Sequence, residues 1–216
     1  MQAKCRPGKR HASGFAVAMK APLARSFSGT IAIAVRSIRM ENGSGDGTGA
    51  KPLVVITGAA GRIGTALAKA LEKDYRVVGM DIAGEGAACE VVETDLTSFD
   101  AVQLSVRRLV ETHGSRIASV THLAAYFDFT GEDSPAYQAV NVDGTRNLLR
   151  ALKQCQVEQL VYSGTMLVHR PGAPGVPITE QTEIDPQWAY PESKARTEQV
   201  IREERGDMPC VFLHLA

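Results

Sequence analysis

Short apolar runs alternate along this chain with longer stretches in which apolar residues recur every three or four positions. Residues 51–57 (Lys-Pro-Leu-Val-Val-Ile-Thr) form a compact apolar run closed by glycines, which predicts a buried parallel strand. Residues 62–73 carry Ile63, Ala66, Leu67, Ala70 and Leu71 at helical spacing. Residues 76–81 predict a second strand and residues 89–93 a weaker third. Residues 98–112 predict a helix with Phe99, Val102, Val106, Leu109 and Val110 on one face. A strand over 117–123, a helix over 134–155, a strand over 159–163, a helix over 189–205 and a strand over 210–215 complete the series. Six strands alternating with helices of this length predict βαβ units and a parallel sheet. Right-handed crossovers make that an α/β fold with a doubly wound, Rossmann-type sheet.

Composition agrees with a globular chain: of 216 residues, 44% are hydrophobic and 22% charged. The balanced net charge of +0 hides an asymmetry. Residues 1–40 carry eight basic groups and no acid, leaving sixteen of the 24 basic groups against 24 acidic ones in the rest. Residues 41–50, with four glycines in ten, read as a flexible linker. The expected organisation is therefore a disordered basic extension and linker over 1–50, not needed for folding, and a nucleotide-binding domain over 51–216. The basic segment admits three readings: a transit peptide, a solvated arm, or residues upstream of a true start at Met40. Cys5, Cys89, Cys155 and Cys210 are far apart, which fits four unpaired thiols in a reducing compartment such as the cytoplasm. No apolar run approaches the ~18 residues of a transmembrane helix. The acidic body opposes nucleic-acid binding; a small-molecule partner is expected, with a homodimer possible.

Candidate chemistry begins at Thr57-Gly58-Ala59-Ala60-Gly61-Arg62-Ile63-Gly64, between the first strand and the first helix. Glycines at 58 and 61 permit a tight turn and close approach of backbone to a pyrophosphate, and Gly64 lets the helix pack closely on the strand. The helix N-terminus then presents N–H groups to phosphate. Asp81 ends the second strand, 23 residues after Gly58. A carboxylate there can accept hydrogen bonds from ribose hydroxyls and repels a 2′-phosphate, which favours NAD over NADP, while Arg62 could attract that phosphate. Tyr190-Pro-Glu-Ser-Lys194 places a phenol and an ammonium on one helical face. A nearby Lys⁺ is expected to lower the phenol pKa toward a usable base.

With these residues together, the chain resembles the extended short-chain dehydrogenase/reductases, which include the NAD-dependent sugar epimerases and dehydratases. Matching segments run in the family's order: Thr57–Gly64, Asp81, Asp95-Leu96, His122-Leu-Ala-Ala125, Asn141-Val-Asp-Gly-Thr145, Val161-Tyr-Ser-Gly-Thr165 and Tyr190–Lys194. The resemblance implies NAD as cofactor, bound by Gly58, Gly61, Arg62, Ile63, Gly64 and Asp81. Asp95 and Leu96 would flank the adenine. Leu123, Ala124 and Ala125 would line the cofactor, and Asn141 would sit near the nicotinamide or serve only as a helix-packing amide. Thr165, Tyr190 and Lys194 would be catalytic, with Ser163 as the fallback hydroxyl and Gly164 replacing a serine. Tyr190 would take a proton from a substrate hydroxyl while hydride passes to the nicotinamide, and Lys194 would also hold the nicotinamide ribose.

Departures shape the expectation further. Met166-Leu167 stand where dehydratases usually show an acidic pair, which argues against dehydration. Extended family members continue beyond the sixth strand into a substrate lobe, so this chain is expected to be a truncated form with that lobe largely missing and with Val211, Phe212 and Leu213 on an uncovered strand edge. The alternative is a non-catalytic NAD-binding sensor or an inactive fragment. No G-x-S-x-G elbow points to a hydrolase, and the five histidines form no H-E-x-x-H metal motif. Residues 126–129 and 180–188 are expected either to face the substrate or to cover the edge of the core.

Overall fold

A computed structural model describes residues 21–41, 50–128 and 130–216, with side chains in the first segment described over 26–37. The chain runs α1 (Ala21–Glu41), β1 (Leu53–Thr57), α2 (Arg62–Leu71), β2 (Arg76–Asp81), β3 (Glu90–Glu93), α3 (Phe99–His113), β4 (Arg116–Ile117) and β5 (Ser119–His122). A π-helical turn (Tyr137–Asp143) continues as α4 (Gly144–Leu152), followed by β6 (Gln156–Val157), β7 (Leu160–Thr165), a 3-10 turn (Met166–Val168), α5 (Ala189–Glu204) and β8 (Cys210–Leu215).

Six strands form one parallel sheet in the order β3-β2-β1-β5-β7-β8. That is the doubly wound order, with the reversal between β1 and β5. Alternation of side chains along β1 feeds two cores. Leu53 and Val55 join α3, α4 and α5 through Val102, Leu109, Leu148 and Ile201. Val54 and Ile56 join α2 through Leu67 and Leu71.

The boundaries differ from the sequence reading where local pairing intervenes. The expected strand over 117–123 is split. Arg116 and Ile117 pair with Gln156 and Val157 in a separate two-stranded sheet, tied by an Arg116–Glu158 ion pair at 2.7 Å, while Ser119–His122 joins the main sheet. The expected helix over 134–155 opens with the π-helical turn, a widening common at functional sites. β8 is the edge strand outside β7, as expected, but its side chains are half-buried: Phe212 meets the Tyr162 ring edge-on at 6.1 Å, and the Arg202 guanidinium stacks 4.2 Å above it.

The largest correction concerns the expected disordered extension. Within it, residues 21–41 form a helix that completes the second core. Ile31, Ala32 and Val35 are almost fully buried against Val54, Ile56, Leu67 and Val161. Arg36 donates to the Ala70 carbonyl at 2.9 Å and pairs with Asp74 at 3.1 Å, and Gln159 donates to the Ala34 carbonyl at 3.2 Å. The apolar face is one short cluster, and the exposed Ile33 beside it blurs the period, so the segment does not read as amphipathic. The expectations for residues 1–20 and 42–49 lie outside the described residues.

Burial of this kind makes α1 part of the folding unit. Ile31→Ala is expected to lower the unfolding free energy of the full chain by about 2–4 kcal/mol in urea melts, as for other large-to-small core changes. A loss below about 0.5 kcal/mol, the level of an ordinary surface change, would show that α1 is not docked.

Candidate active site

The C-terminal ends of β1, β5 and β7 converge on one edge of the sheet, beside the reversal in strand order. The β1–α2 turn there is tightly built. Gly58 has a φ of 71°, its N–H donates to the Met80 carbonyl at 2.9 Å, and an added Cβ would lie 2.8 Å from the Ala124 nitrogen. An added Cβ on Gly64 would lie 2.2 Å from the Gly58 carbonyl oxygen. The turn therefore tolerates no side chain at these two positions, and its backbone stays open to a close ligand. Gly61 caps α2, whose own first turn holds no acid, so the helix presents its positive end at the turn without a negative side chain of its own. Arg62 is exposed and Ile63 half-buried at the same mouth.

Asp81 clamps this turn to the end of β2. One carboxylate oxygen accepts from the Ala60 N–H at 2.9 Å and the other from the Ile82 N–H at 2.8 Å. Asp95 is exposed and accepts from the Thr97 N–H at 2.9 Å and the Thr97 hydroxyl at 2.7 Å, while Leu96 is buried in the core. Leu123, Ala124 and Ala125 leave β5 toward the mouth: the Leu123 N–H donates to the Thr57 carbonyl at 3.2 Å and the Ala124 N–H to the Thr57 hydroxyl at 3.2 Å.

Beneath this rim runs a buried hydrogen-bonded chain. The Thr145 hydroxyl donates to the Asn141 carbonyl at 2.5 Å, which commits its one hydrogen. It must therefore accept from His122 Nε2, 2.8 Å away. His122 Nδ1 is then an acceptor, and the Thr57 hydroxyl donates to it at 2.6 Å. Burial, reinforced by the charge of Lys194, lowers the His122 pKa to about 3, so the ring is neutral as this pattern requires.

Asn141 sits in the π-helical turn with its amide engaged by protein groups. Its Oδ1 accepts from the Tyr126 N–H at 2.7 Å, and its Nδ2 donates to the Tyr126 carbonyl at 3.1 Å and the Ser193 hydroxyl at 2.9 Å. Ser193 in turn donates to the Tyr190 carbonyl at 2.7 Å. Asn141 thus brackets the loop after β5 against α5.

Tyr190 lies in the first turn of α5, its ring edge-on to Phe127 at 4.5 Å and tilted to Tyr137 at 6.2 Å. Burial, with a further contribution from Tyr137, pushes the phenol up to about 12. Lys194, 2% exposed, holds its ammonium over the Tyr162 ring, 4.4 Å from the centroid. Burial lowers its pKa to about 7, and the charge of Glu198 opposes that shift. This corrects the expectation that Lys194 lowers the phenol pKa: in the protein alone, desolvation governs both groups.

Thr165 ends β7, and its hydroxyl accepts from the Leu167 N–H at 3.3 Å, capping the 3-10 turn. Ser163, two residues earlier, shares its side of the strand. Among the loop residues, Tyr126, Phe127 and Asp128 border Tyr190 and Tyr137, while Phe129 lies outside the described residues. Over 180–188, Glu183 and Asp185 pair with Arg170, and Trp188 is partly exposed at the start of α5. Sequence reasoning assigned no role to His122, or to a second set formed by His169, His214 and Glu198. Glu198 could have been noticed, standing one helical turn after Lys194. Among the described residues, no group of three or more His, Cys, Asp or Glu is arranged to hold a metal ion, and no helix is long and apolar enough to cross a membrane.

A glycine-turn cradle at the strand reversal, with a tyrosine and lysine one helical turn apart on the helix after β7, defines a Rossmann-type dehydrogenase architecture. The chain belongs to the NAD dependent epimerase/dehydratase family, whose pattern it matches over residues 54–215. It is 30% identical over 177 residues to the human 3 beta-hydroxysteroid dehydrogenase type 7, covering 74% of this chain and 48% of that protein. It is 31% identical over 170 residues to a UDP-glucose 4-epimerase of Azospirillum brasilense, covering 73% and 46% respectively. A short-chain dehydrogenase/reductase superfamily protein from Agrobacterium tumefaciens, solved with bound NAD, superposes with a TM-score of 0.62 at 29% identity, covering 75% of this chain and 48% of that one. The chain spans about half the length of the curated relatives it matches.

Two titrations test the electrostatics. In ¹⁵N NMR, the His122 ring is expected to remain the neutral Nε2–H tautomer at pH 5, where an ordinary imidazole is protonated; an imidazolium signal would overturn the assigned hydrogen-bond directions. For Lys194, the folded pKa of about 7 lies below the ordinary ~10.4 of an unfolded lysine. Between those values the unfolded chain binds more protons, so this group makes stability rise with pH, and its cost is fully present below pH 7. Lys194→Met is therefore expected to gain more stability at pH 6 than at pH 10 in urea melts. An equal gain at both values would contradict the shift.

Proposed function

We propose that this chain carries the NAD-binding and hydride-transfer site of an oxidoreductase or epimerase acting on a hydroxyl-bearing carbon of a sugar, nucleotide-sugar or similar small molecule. The observation that carries the reading is the joining of the Gly58–Gly64 turn to Tyr190 by one hydrogen-bonded chain, with Thr165 at the end of the neighbouring strand. The turn fits a dinucleotide because its two crowded glycines leave backbone, not side chains, at the helix N-terminus. NAD, when bound, supplies the hydride acceptor.

Gly58, Gly61, Arg62, Ile63 and Gly64 would cradle its phosphates and Asp81 its adenosine ribose. Asp95 and Leu96 would flank the adenine, and Leu123, Ala124 and Ala125 the remainder. Asn141 acts by holding Tyr126 and Ser193 in place. Ser163 and Lys194 complete the nicotinamide end. Thr165 hydrogen-bonds the substrate oxygen, and Tyr190 moves its proton. A phenol held at about 12 is a proton donor at neutral pH, which suits reduction of a carbonyl. Oxidation of a hydroxyl needs phenolate, which the positive charge of a bound oxidised nicotinamide would favour against the desolvation of Tyr190. The absence of an acid at Met166 and Leu167 sets the site apart from dehydration.

Calorimetric titration tests the cofactor assignment. NADH is expected to bind more tightly than NADPH, and Asp81→Ala to narrow the difference by about 1–3 kcal/mol, the scale of a charged hydrogen bond. Tighter NADPH binding would reassign the ribose pocket to Arg62, and no binding of either would remove the reading. On a panel of nucleotide sugars, sugars and hydroxysteroids, Tyr190→Phe is expected to reduce turnover roughly 10²–10⁴-fold, the usual contribution of acid–base catalysis, with NADH affinity kept. Unchanged turnover would exclude Tyr190 as the proton carrier.

A further inference from the structure

One helical turn beyond Lys194, three titratable side chains form a line on the α5 side of β7. The Thr182 carbonyl oxygen and His169 Nδ1 are 2.9 Å apart, His169 Nε2 and His214 Nδ1 are 2.8 Å apart, and His214 Nε2 and Glu198 Oε1 are 2.8 Å apart. His169 and Glu198 are each 5% exposed. Both ends of the line are acceptors: a backbone carbonyl at one end and a carboxyl group at the other. The carbonyl carries no hydrogen, so His169 Nδ1 must donate to it. A neutral His169 then accepts at Nε2, so His214 Nδ1 donates. A neutral His214 would in turn present a lone pair to a carboxylate. Three contacts need three hydrogens, and two neutral imidazoles supply only two.

We propose that His169, His214 and Glu198 form an array holding one additional proton, with His214 an imidazolium against the Glu198 carboxylate, and that they act as positioning residues tying the 169–185 segment to the helix that carries Tyr190 and Lys194. The surrounding charges place the proton on His214 rather than on Glu198. Arg202 on α5 lies 3.5 Å from Glu198 Oε2 and favours the carboxylate, as does Lys194, one turn away on the same helix, in the fraction that carries its proton. Tyr162 on β7 and Cys210 on β8 also feel the Glu198 charge and are both pushed up chiefly by burial, which keeps them neutral. Across the segment, Arg170 is paired with Glu183 at 2.8 Å and Asp185 at 3.0 Å.

Two independent features show that the line is built into the fold. Gly164, where a serine was expected, makes room for it: an added Cβ would lie 2.7 Å from the His214 ring and 3.0 Å from Glu198 Oε1. The segment it holds is closed by backbone bonds on both sides of His169, from the Arg170 N–H to the Glu183 carbonyl at 2.8 Å and from the Asp185 N–H to the Val168 carbonyl at 2.9 Å. That segment leads directly to Trp188 and Tyr190. The catalytic consequence rests on the hydride-transfer reading above; the proton count does not.

Ring ¹⁵N NMR of the full chain at pH 7 provides the test. The expected spectrum shows His169 as the neutral Nδ1–H tautomer and His214 protonated on both nitrogens. Glu198→Gln supplies an amide hydrogen in place of the additional proton. His214 should then become neutral with its hydrogen on Nδ1, while the Arg170 and Asp185 amides keep their protection from hydrogen exchange. His214→Ala should raise the exchange of those amides at least about tenfold. A neutral His214 in the parent chain, a protonated Glu198 carboxyl, or a His214 still doubly protonated in Glu198→Gln would each overturn the proposal. Calorimetry with NADH on the same samples separates the two readings: lost cofactor binding with the expected spectrum removes the proposed function and leaves the array standing.

Discussion

The site depends on one neutral, fully buried imidazole. His122 stands between the Thr57 hydroxyl on β1 and the Thr145 hydroxyl on α4, and it can join them only while one ring nitrogen donates and the other accepts. Through Thr57 the chain of bonds reaches Ala124 and the crowded glycine turn. Through Thr145 it reaches the Asn141 carbonyl, and the Asn141 amide passes it to Ser193 and so to the Tyr190 backbone. Four elements that meet nowhere in sequence are thus held in register by directed hydrogen bonds. A buried network of this kind rigidifies only when every member is satisfied. Protonating His122 would place two donors where one acceptor is needed, and burial resists that change.

Much of this was legible in the sequence because it rests on local periodicity and crowding. Apolar runs located β1, β2 and β7, and their alternation with helices implied the sheet order. Gly58 and Gly64 were recognisable because their spacing answers to backbone contacts a few residues away. What escaped detection depends on tertiary partners. The α1 helix has a short apolar face that becomes meaningful only against Val161 and Leu67. The widened turn around Asn141 follows from bonds to Tyr126 and Ser193, 15 and 52 residues away. His169 and His214 are separated by 45 residues and become neighbours through the pairing of β7 with β8.

Tyr190 and Lys194 illustrate how position and environment separate. The sequence places both on one helical face, and the structure agrees. Their proton affinities move apart from the ordinary values in opposite directions for a single reason: each is taken out of water, which disfavours phenolate and ammonium alike. The nearest compensation comes from Glu198 for the lysine and is absent from the causes acting on the tyrosine. The pocket in the protein alone therefore holds its acid in the protonated form, and a positive charge brought close to the phenol would act against the desolvation that keeps it there.

The docking of α1 ties parts of the sheet that lie far apart in the chain. Most of its partners are near in sequence: Ile31, Ala32 and Val35 pack with Val54, Ile56, Leu67 and Leu71, and Arg36 reaches Ala70 and Asp74. Those contacts close only a short loop, so they cost little entropy to form. The Ala34 carbonyl also accepts from Gln159, 125 residues later, and the same apolar face meets Val161. One helix thus rivets the two halves of the sheet across the strand reversal, so that freeing it would loosen both halves together.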